Sequence, residues 1–212
     1  MKKYLTIENE DRTENIVEEP QSEIGFTYAD YLTWNFKERI ELIRGRIFKM
    51  SPAPTVNHQR ILLSLTLFFG NKIPENAPCQ ILFAPVDVRL KGKPFRKKKL
   101  RDDQIKTVVQ PDLIVVCDPA KLEDTRSIDG APEMVIEILS PGNSKTELKH
   151  KLNLYEENGV EEYWEVLPEM KFVQVFILED DKYGKPERYY SGEKIPCKVL
   201  KGISIPVDEI FK

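Results

Sequence analysis

Two short apolar runs, each containing a carboxylate, constrain this chain more than any other feature of its sequence. The first, 108–117, contains Asp112, and the second, 134–139, contains Glu137. Both runs are dense in β-branched and aliphatic residues, as strands buried on both faces of a sheet are. An isolated ionised carboxylate in such surroundings is strongly disfavoured unless it is paired, hydrogen-bonded or bound to a cation. We therefore expect two buried strands, neighbours in one sheet, and a partner for each carboxylate.

A purely structural interpretation of the two carboxylates is also open. Asp112 could simply mark the entry to its strand beside Pro111, and Glu137 could face solvent on an exposed sheet face. The apolar flanks of Glu137 argue against this interpretation, whereas Asp112 taken alone fits either one.

The surrounding pattern predicts the fold class. Ser144 and Glu147 have the spacing of a capping box and Gly159 suits a left-handed helix end, which together predict a helix over 145–158. Apolar residues at helical spacing predict a second helix over 56–72. Other patterns predict a short helix over 27–34, a hairpin over 40–50, strand segments within 80–90, a hairpin over 162–178 and short strands over 198–207. The sum is an α/β protein with a mixed β-sheet flanked by helices.

A lysine and a further glutamate belong to the same hypothesis. On the predicted helix over 145–158, Leu148, Leu152 and Tyr155 form the stripe that should meet the sheet, and Lys151 lies on that face. It could be a snorkelling lysine at the edge of the stripe, or it could bring an ammonium group to Glu137. Glu41, between Ile40 and Leu42, is either an ordinary exposed hairpin glutamate or part of the same site. Several carboxylates and a lysine suit a hard divalent cation such as Mg²⁺, which takes one or two carboxylates together with water and phosphate oxygens.

A larger set of residues resembles a known family in both order and spacing. The set comprises Glu41–Gly45, His58, Val86–Val88, Gln110–Asp112, Ala131–Pro132, Val135–Pro141, Lys151, Leu154–Tyr155, Gly159–Val160 and Glu162–Trp164. It resembles the Uma-type putative restriction endonuclease family, a branch of the PD-(D/E)XK nuclease superfamily. The resemblance runs from about Thr27 to Phe176. It implies a restriction-endonuclease-like core and hydrolysis of DNA phosphodiester bonds with Mg²⁺ or Mn²⁺.

Carried over to this sequence, the resemblance assigns four catalytic positions. Asp112 and Glu137 resemble the metal-binding acids, Glu41 resembles a helper carboxylate, and Lys151 resembles a lysine moved from the strand to the following helix. The sequence departs from the superfamily at Leu139, where a lysine is expected. Either Lys151 substitutes for that lysine in space or catalysis is impaired.

Three function classes follow. The leading one is a metal-dependent DNA endonuclease, and the second is a catalytically silent nucleic-acid-binding or assembly module on the same scaffold. A glycosidase that uses the carboxylates as acid and base ranks last, because the lysine and a basic run over 91–101 suit a phosphate better than a sugar. That run has seven cationic residues and no acid, which is typical of a solvated loop but also suits contact with a phosphate backbone.

His58 is expected to be a core or site-rim histidine rather than a metal ligand, and Asp87 a supporting residue.

The acidic residues are concentrated at the N-terminus, which bears on both the net charge and the domain organisation. The chain has a formal net charge of −3, but residues 1–30 hold eight acidic and three basic residues, which leaves 29 basic against 27 acidic beyond them. We expect residues 1–25 to be an acidic, flexible segment and 26–212 to be a single nuclease-like domain. The total charge therefore does not exclude DNA as a partner.

The remaining predictions concern surroundings and partners. Three widely spaced cysteines, Cys79, Cys117 and Cys197, predict neither a disulfide framework nor a zinc site, and Cys117 is expected to be a small core residue. With no signal-peptide pattern and no apolar run of membrane-spanning length, we expect a soluble cytoplasmic protein with no membrane contact and no organic cofactor. Cleavage of both DNA strands needs two sites, so we expect a homodimer.

Overall fold

The architecture is a mixed α/β arrangement. A computed structural model describes residues 25–50, 53–140 and 142–212, so the predicted acidic segment lies almost wholly outside the described residues. The helices are α1 (Tyr28–Tyr31), α2 (Val56–Lys72), α3 (Lys145–Asn158) and α4 (Val207–Ile210). The strands are β1 (Ile40–Ile43), β2 (Arg46–Lys49), β3 (Gln80–Phe83), β4 (Asp87–Arg89), β5 (Val108–Val109), β6 (Leu113–Val116), β7 (Ser127–Asp129), β8 (Met134–Ile138), β9 (Glu162–Leu167), β10 (Phe172–Glu179), β11 (Lys182–Tyr183), β12 (Glu187–Tyr189), β13 (Lys194–Pro196) and β14 (Ser204–Pro206).

Two larger sheets organise these strands. The first has seven strands in the order β11-β10-β9-β8-β6-β3, with β12 also paired to β10, and the second has the order β2-β1-β5-β4-β7. Strands β13 and β14 form a separate pair. In the seven-stranded sheet β6 and β8 are antiparallel neighbours, while β8 and β9 are parallel and connected through α3. The predicted mixed sheet with two main flanking helices is confirmed.

The two faces of the seven-stranded sheet pack against different helices. Successive residues of a strand point to opposite faces. Ile136 and Trp164 therefore join the core cluster that contains residues of α2, whereas Val135 and Tyr163 join the cluster that contains Leu154 and Tyr155 of α3. Glu137 has the same parity as Val135, so it lies on the face covered by α3.

Local capping explains why both main helices have the predicted bounds. The Thr55 side chain accepts a hydrogen bond from the His58 amide at the start of α2, and the Ser144 side chain accepts one from the Glu147 amide at the start of α3. Helix α3 ends at Gly159, whose φ of +83° lies in the left-handed region that a glycine adopts without steric cost.

The prediction of one continuous strand over 108–117 is wrong in a way that matters for the site. The segment Gln110–Asp112 interrupts it, so β5 belongs to the five-stranded sheet and β6 to the seven-stranded sheet. Pro111 has no amide hydrogen to donate to a sheet ladder, which favours a break at this point. As a result Asp112 lies immediately before β6. The predicted helix over 27–34 is also shorter, because only Tyr28–Tyr31 is helical.

The cysteine prediction requires a correction. Cys79 and Cys117 form a disulfide, and Cys197 is a free, buried cysteine. The register of β3 with β6 pairs Gln80 with Val116, so the next residues outward, Cys79 and Cys117, face each other. Their separation of 38 residues gives no hint of this proximity. None of the helices in the described part of the chain is long and apolar enough to span a membrane.

Candidate active site

Strand register brings the two predicted metal-binding acids together. Leu113 of β6 pairs with Ile136 of β8 in antiparallel register, so Asp112 and Glu137 are the next residues along and lie opposite each other. Asp112 also accepts a hydrogen bond of 2.8 Å on Oδ2 from the amide of Ile138. The pairing that places two acids side by side is thus made by the backbone of the sheet.

His58 fixes the same oxygen of Asp112 from the α2 side. Its Nε2 lies 3.1 Å from Oδ2 of Asp112. The histidine is buried, and its Nδ1 has no hydrogen-bond partner among the described residues. His58 therefore lies at the rim of the site, as expected from the sequence, and its contact with an acid predicted to bind metal is an additional finding.

Glu137 is almost completely buried, with 6% of its surface exposed. One oxygen, Oε1, accepts two hydrogen bonds, one of 3.0 Å from Nζ of Lys151 and one of 2.6 Å from the hydroxyl of Tyr155. Burial raises the pKa of Glu137 to about 7, although the ammonium of Lys151 acts in the opposite direction. The neighbouring charges of Asp112 and Glu41 act on this pKa in the same direction as burial.

Glu41 completes the cluster from the five-stranded sheet. It is buried, its Oε1 accepts a 3.0 Å hydrogen bond from the amide of Gln110, and the same oxygen lies 3.5 Å from Nζ of Lys151. Burial alone would lower the pKa of Lys151, but the charges of Glu137 and Glu41 outweigh it, so the net shift is upward. Lys151 is therefore a charged ammonium held between two carboxylates.

The face that α3 turns to the sheet is rotated relative to the predicted one. Its buried residues are Leu154, Tyr155 and Asn158, and Leu152 packs only partly. Lys151 and the three buried residues follow the spacing i, i+3, i+4 and i+7, which is one helical face. Lys151 thus lies within the packed face of α3, and the snorkelling alternative does not hold.

The sequence prediction missed Tyr155 as a site residue. It counted as an apolar stripe residue, whereas its hydroxyl contacts the Glu137 carboxylate. The available signal was the spacing of four between Lys151 and Tyr155, which places both polar groups one helix turn apart on the same face.

The donor set is compatible with a magnesium ion. Asp112, Glu137 and Glu41 each use one oxygen for contacts with described residues, and their other oxygens accept no hydrogen bond from described residues. Within the described ranges no group of three or more histidine, cysteine, aspartate or glutamate residues is arranged to hold a metal. Mg²⁺ needs only one or two carboxylates, because water and substrate oxygens complete its coordination.

The basic run is largely neutralised within the protein. Lys93 and Arg96 pair with Asp181, Lys91 pairs with Asp129, and Arg101 pairs with Asp103. Arg96 also donates hydrogen bonds to the carbonyls of Glu156 and Glu157 at the end of α3. The run therefore joins elements of the fold and offers far less free positive charge than its composition suggests.

The mixed sheet, its flanking helices and the cluster at one end of its central strands define an α/β protein of the restriction-endonuclease-like class. A family model described as "Putative restriction endonuclease" (Uma2) matches residues 28–208, and the chain belongs to this family. The resemblance identified from the sequence is confirmed.

A solved structure supports the same fold. The chain is similar to a protein described as a putative nuclease belonging to DUF820 from Anabaena variabilis ATCC 29413. The two share 17% sequence identity with a TM-score of 0.68, over 88% of this chain and 97% of that one. At this identity the match shows a common fold. No curated protein matches the chain. Family and fold together support a nuclease.

Proposed function

We propose that this protein is a Mg²⁺-dependent endonuclease that hydrolyses phosphodiester bonds in DNA. The observation that carries the proposal is the convergence of Asp112, Glu137, Glu41 and Lys151 at one end of the central strands. These residues come from four separate segments of the chain. Burying Glu41 and Glu137 around one lysine, beside the half-buried Asp112, is costly to stability, which favours a functional role for the cluster.

Asp112 and Glu137 are the residues that would hold the metal ion. When bound, Mg²⁺ supplies charge to polarise a phosphoryl group and lowers the pKa of a water molecule. His58 and the Ile138 amide hold Asp112 by one oxygen, and Lys151 and Tyr155 hold Glu137 by one oxygen. Each acid thus keeps its other oxygen oriented for the ion.

In this proposal Lys151 does the work of the lysine that Leu139 replaces. Its ammonium lies 3.0 Å from Glu137 and is held at a fixed position by Glu41 as well. A charged donor fixed beside the metal-binding acids can stabilise the negative charge that develops on the phosphoryl group or orient the attacking water. Glu41 acts by positioning this lysine.

A panel of metals and DNA substrates tests the proposal. Purified protein is incubated with plasmid and linear duplex DNA in Mg²⁺, Mn²⁺, Ca²⁺ or EDTA, beside the variants Glu137→Ala and Lys151→Ala. We expect cleavage only with Mg²⁺ or Mn²⁺, and loss of cleavage in both variants. The matched control is Glu169→Ala, an exposed glutamate in the turn between β9 and β10. Strong cleavage by folded Glu137→Ala would exclude the assignment.

A silent binding module is the second candidate, and Leu139 favours it. If the lysine on α3 does not replace the missing strand lysine, the protein binds DNA without cleaving it. The same panel separates the two candidates, because the module shows salt-sensitive DNA binding with no metal-dependent product.

A homodimer belongs to the proposal as well. The described residues contain one such cluster per chain, and cleavage of both DNA strands in one encounter needs two. Sedimentation of the protein with and without a DNA duplex should therefore give the mass of two chains in the cleaving complex.

A further inference from the structure

Two exposed arginines are each held by the side chain of a glutamine. Arg39 donates two hydrogen bonds, of 3.1 and 2.8 Å, to Oε1 of Gln110. Arg188 donates one of 3.2 Å to Oε1 of Gln174, and its guanidinium also lies over the ring of Phe172. Both arginines are therefore positioned before any ligand arrives.

The glutamines are in turn held by buried or half-buried acids. Nε2 of Gln110 donates to Oδ1 of Asp87 at 2.9 Å, and Nε2 of Gln174 donates to Oε2 of Glu165. A tyrosine hydroxyl supports each acid, since Tyr31 donates to Asp87 and Tyr163 donates to Glu165. The same arrangement of arginine, glutamine, acid and tyrosine thus occurs twice, built from unrelated segments.

The first arrangement adjoins the candidate active site on its β1 side. Gln110 lies two residues before Asp112, and its amide donates to Glu41, which contacts Lys151. Arg39 is therefore connected to the cluster through a single glutamine.

The second arrangement continues the site across the seven-stranded sheet, away from β6 and Asp112. Glu137 pairs with Glu165 on β9, Glu165 pairs with Gln174 on β10, and Gln174 pairs with Arg188 on β12. Paired residues on neighbouring strands point to the same face. With neighbouring strands about 4.8 Å apart, the backbone of Arg188 lies about 14 Å from that of Glu137.

The partners of these arginines leave their charge available. Five other arginines pair with carboxylates, namely Arg44, Arg89, Arg96, Arg101 and Arg126. Arg39 and Arg188 have no carboxylate partner among residues 25–50, 53–140 and 142–212, and a glutamine oxygen holds them without cancelling their charge. Arg46 and Arg60 are exposed too, but within the same ranges no side chain holds them.

We propose that Arg39 and Arg188 form a clamp that binds the phosphates of a DNA strand on either side of the bond cleaved at the Glu137 cluster. This inference rests on the proposed function and names its substrate, which is the interior of a polynucleotide strand. Guanidinium groups bind phosphate oxygens through paired N–H donors, and groups already fixed in place lose little conformational entropy on binding.

The clamp is tested by DNA binding and by its dependence on salt. The affinity of a fluorescein-labelled 30-base-pair duplex is measured in Ca²⁺ between about 50 and 200 mM salt. Arg39→Gln and Arg188→Gln should each weaken binding about tenfold, the loss of a charge-assisted hydrogen bond. Each should also reduce the slope of log K against log salt by about 0.9, the value for one phosphate contact. Arg46→Gln and Arg60→Gln are the matched controls and should change neither quantity.

A small substrate separates the clamp from the catalytic cluster. Bis(4-nitrophenyl) phosphate occupies only the position of the cleaved bond, so Arg39→Gln and Arg188→Gln should lower the rate of duplex cleavage by a larger factor than the rate of its hydrolysis. Arg39→Lys and Arg188→Lys, which keep the charge, should recover most of the duplex affinity. Unchanged duplex affinity and salt slope in the glutamine variants would overturn the clamp even if the protein cleaves DNA. Weaker duplex binding by Arg39→Gln and Arg188→Gln, with unchanged binding by Arg46→Gln and Arg60→Gln, would support the clamp even if no metal gives cleavage.

Discussion

Glu137 shows how opposing effects on one residue are balanced. Burial disfavours its charged form, while Lys151 at 3.0 Å and the Tyr155 hydroxyl at 2.6 Å favour it. Burial is the larger effect, so the pKa rises from 4.5 to about 7. The carboxyl therefore changes its charge near neutral pH, where an acid on the protein surface would be fully ionised.

The raised pKa makes a prediction about stability. Between pH 4.5 and 7 the folded protein holds a proton on Glu137 that the unfolded chain has released. Folding stability linked to this group is therefore present at low pH and is lost as the pH rises through about 7. In Glu137→Gln this dependence is absent. As the pH rises from 4.5 to 7.5, the free energy of unfolding of the variant should therefore increase by about 3 kcal/mol relative to that of the unaltered protein. Urea unfolding at a series of pH values measures the difference.

The exposed Glu169 supplies the control for this measurement. Glu169→Gln should run parallel to the unaltered protein at every pH. A constant difference between Glu137→Gln and the unaltered protein would mean that Glu137 titrates at the same pH in the folded and unfolded states.

Tyr155 makes a second prediction at the level of a single group. Its hydrogen bond lowers the pKa of Glu137, so its loss in Tyr155→Phe should raise that pKa further. The rising limb of the cleavage rate against pH should then move to higher pH, and stability should fall by about 1–2 kcal/mol from the unmade hydrogen bond. Tyr183→Phe is the control, because the Tyr183 hydroxyl donates to the carbonyl of Val160 instead. A pH profile that does not move, in a folded Tyr155→Phe protein, would contradict a positioning role.

Among the secondary-structure elements, α3 contributes two side chains to the candidate site. It supplies Lys151 and Tyr155, and its C-terminal end is tied to the basic run by Arg96. The Arg96 guanidinium donates to the carbonyls of Glu156 and Glu157 in the last turn, where carbonyls lack the regular amide partner four residues on. A cation at this end also interacts favourably with the helix dipole.

Removing this cap should destabilise the element. In Arg96→Ala the free energy of unfolding should fall by about 1–2 kcal/mol, through the lost hydrogen bonds and dipole interaction. Arg101→Ala, which removes an exposed pair with Asp103, should change it by less than about 0.5 kcal/mol. Urea unfolding of both variants provides the comparison. Equal effects would show that Arg96 acts as an ordinary surface cation.

Local signals account for the elements that the sequence predicted well. The bounds of α2 and α3 follow from Thr55, Ser144 and Gly159, because caps act within one turn of the residue that makes them. The first hairpin follows from Arg44 and Gly45, both with positive φ. None of these signals depends on which strands become neighbours.

Strand order accounts for what the sequence could not show. The row from Glu137 through Glu165 to Arg188 exists only because β8, β9, β10 and β12 are neighbours in that order. The disulfide depends in the same way on β3 and β6 being neighbours. A carboxylate in an apolar run shows that a partner is needed, but the identity of that partner depends on tertiary packing.

For the whole molecule, the positions of the charged side chains say more about the cations available to a DNA phosphate than the net charge does. Five of the seven cations of the basic run pair with Asp129, Asp181, Glu123 or Asp103, so most of its charge is neutralised within the protein. Of the arginines in the described ranges without a carboxylate partner, Arg39 and Arg188 are the two that a glutamine holds in place. In the proposed function these two arginines therefore matter more than the basic run, and their loss should make the dependence of DNA binding on salt shallower.

The disulfide links the edge strand β3 to β6 and so affects the stability of the whole sheet. Closing a loop of 38 residues stabilises a protein by about 4 kcal/mol in the chain-entropy description. Reduction should lower the free energy of unfolding by about that amount, measured by urea unfolding with and without dithiothreitol. Cys117→Ser should show the reduced value under both conditions, and Cys197→Ser should respond to dithiothreitol as the unaltered protein does.

The same bond tests the predicted cytoplasmic location, because thiols in that compartment are kept reduced. Protein alkylated at the moment of cell lysis and analysed by mass spectrometry should carry three labelled cysteines if it resides there, and the 4 kcal/mol would then be absent in the cell. A single labelled cysteine, Cys197 after unfolding, would show that Cys79 and Cys117 are bonded in the cell. The predicted cytoplasmic location would then be wrong, because a disulfide of this kind persists in an oxidising compartment.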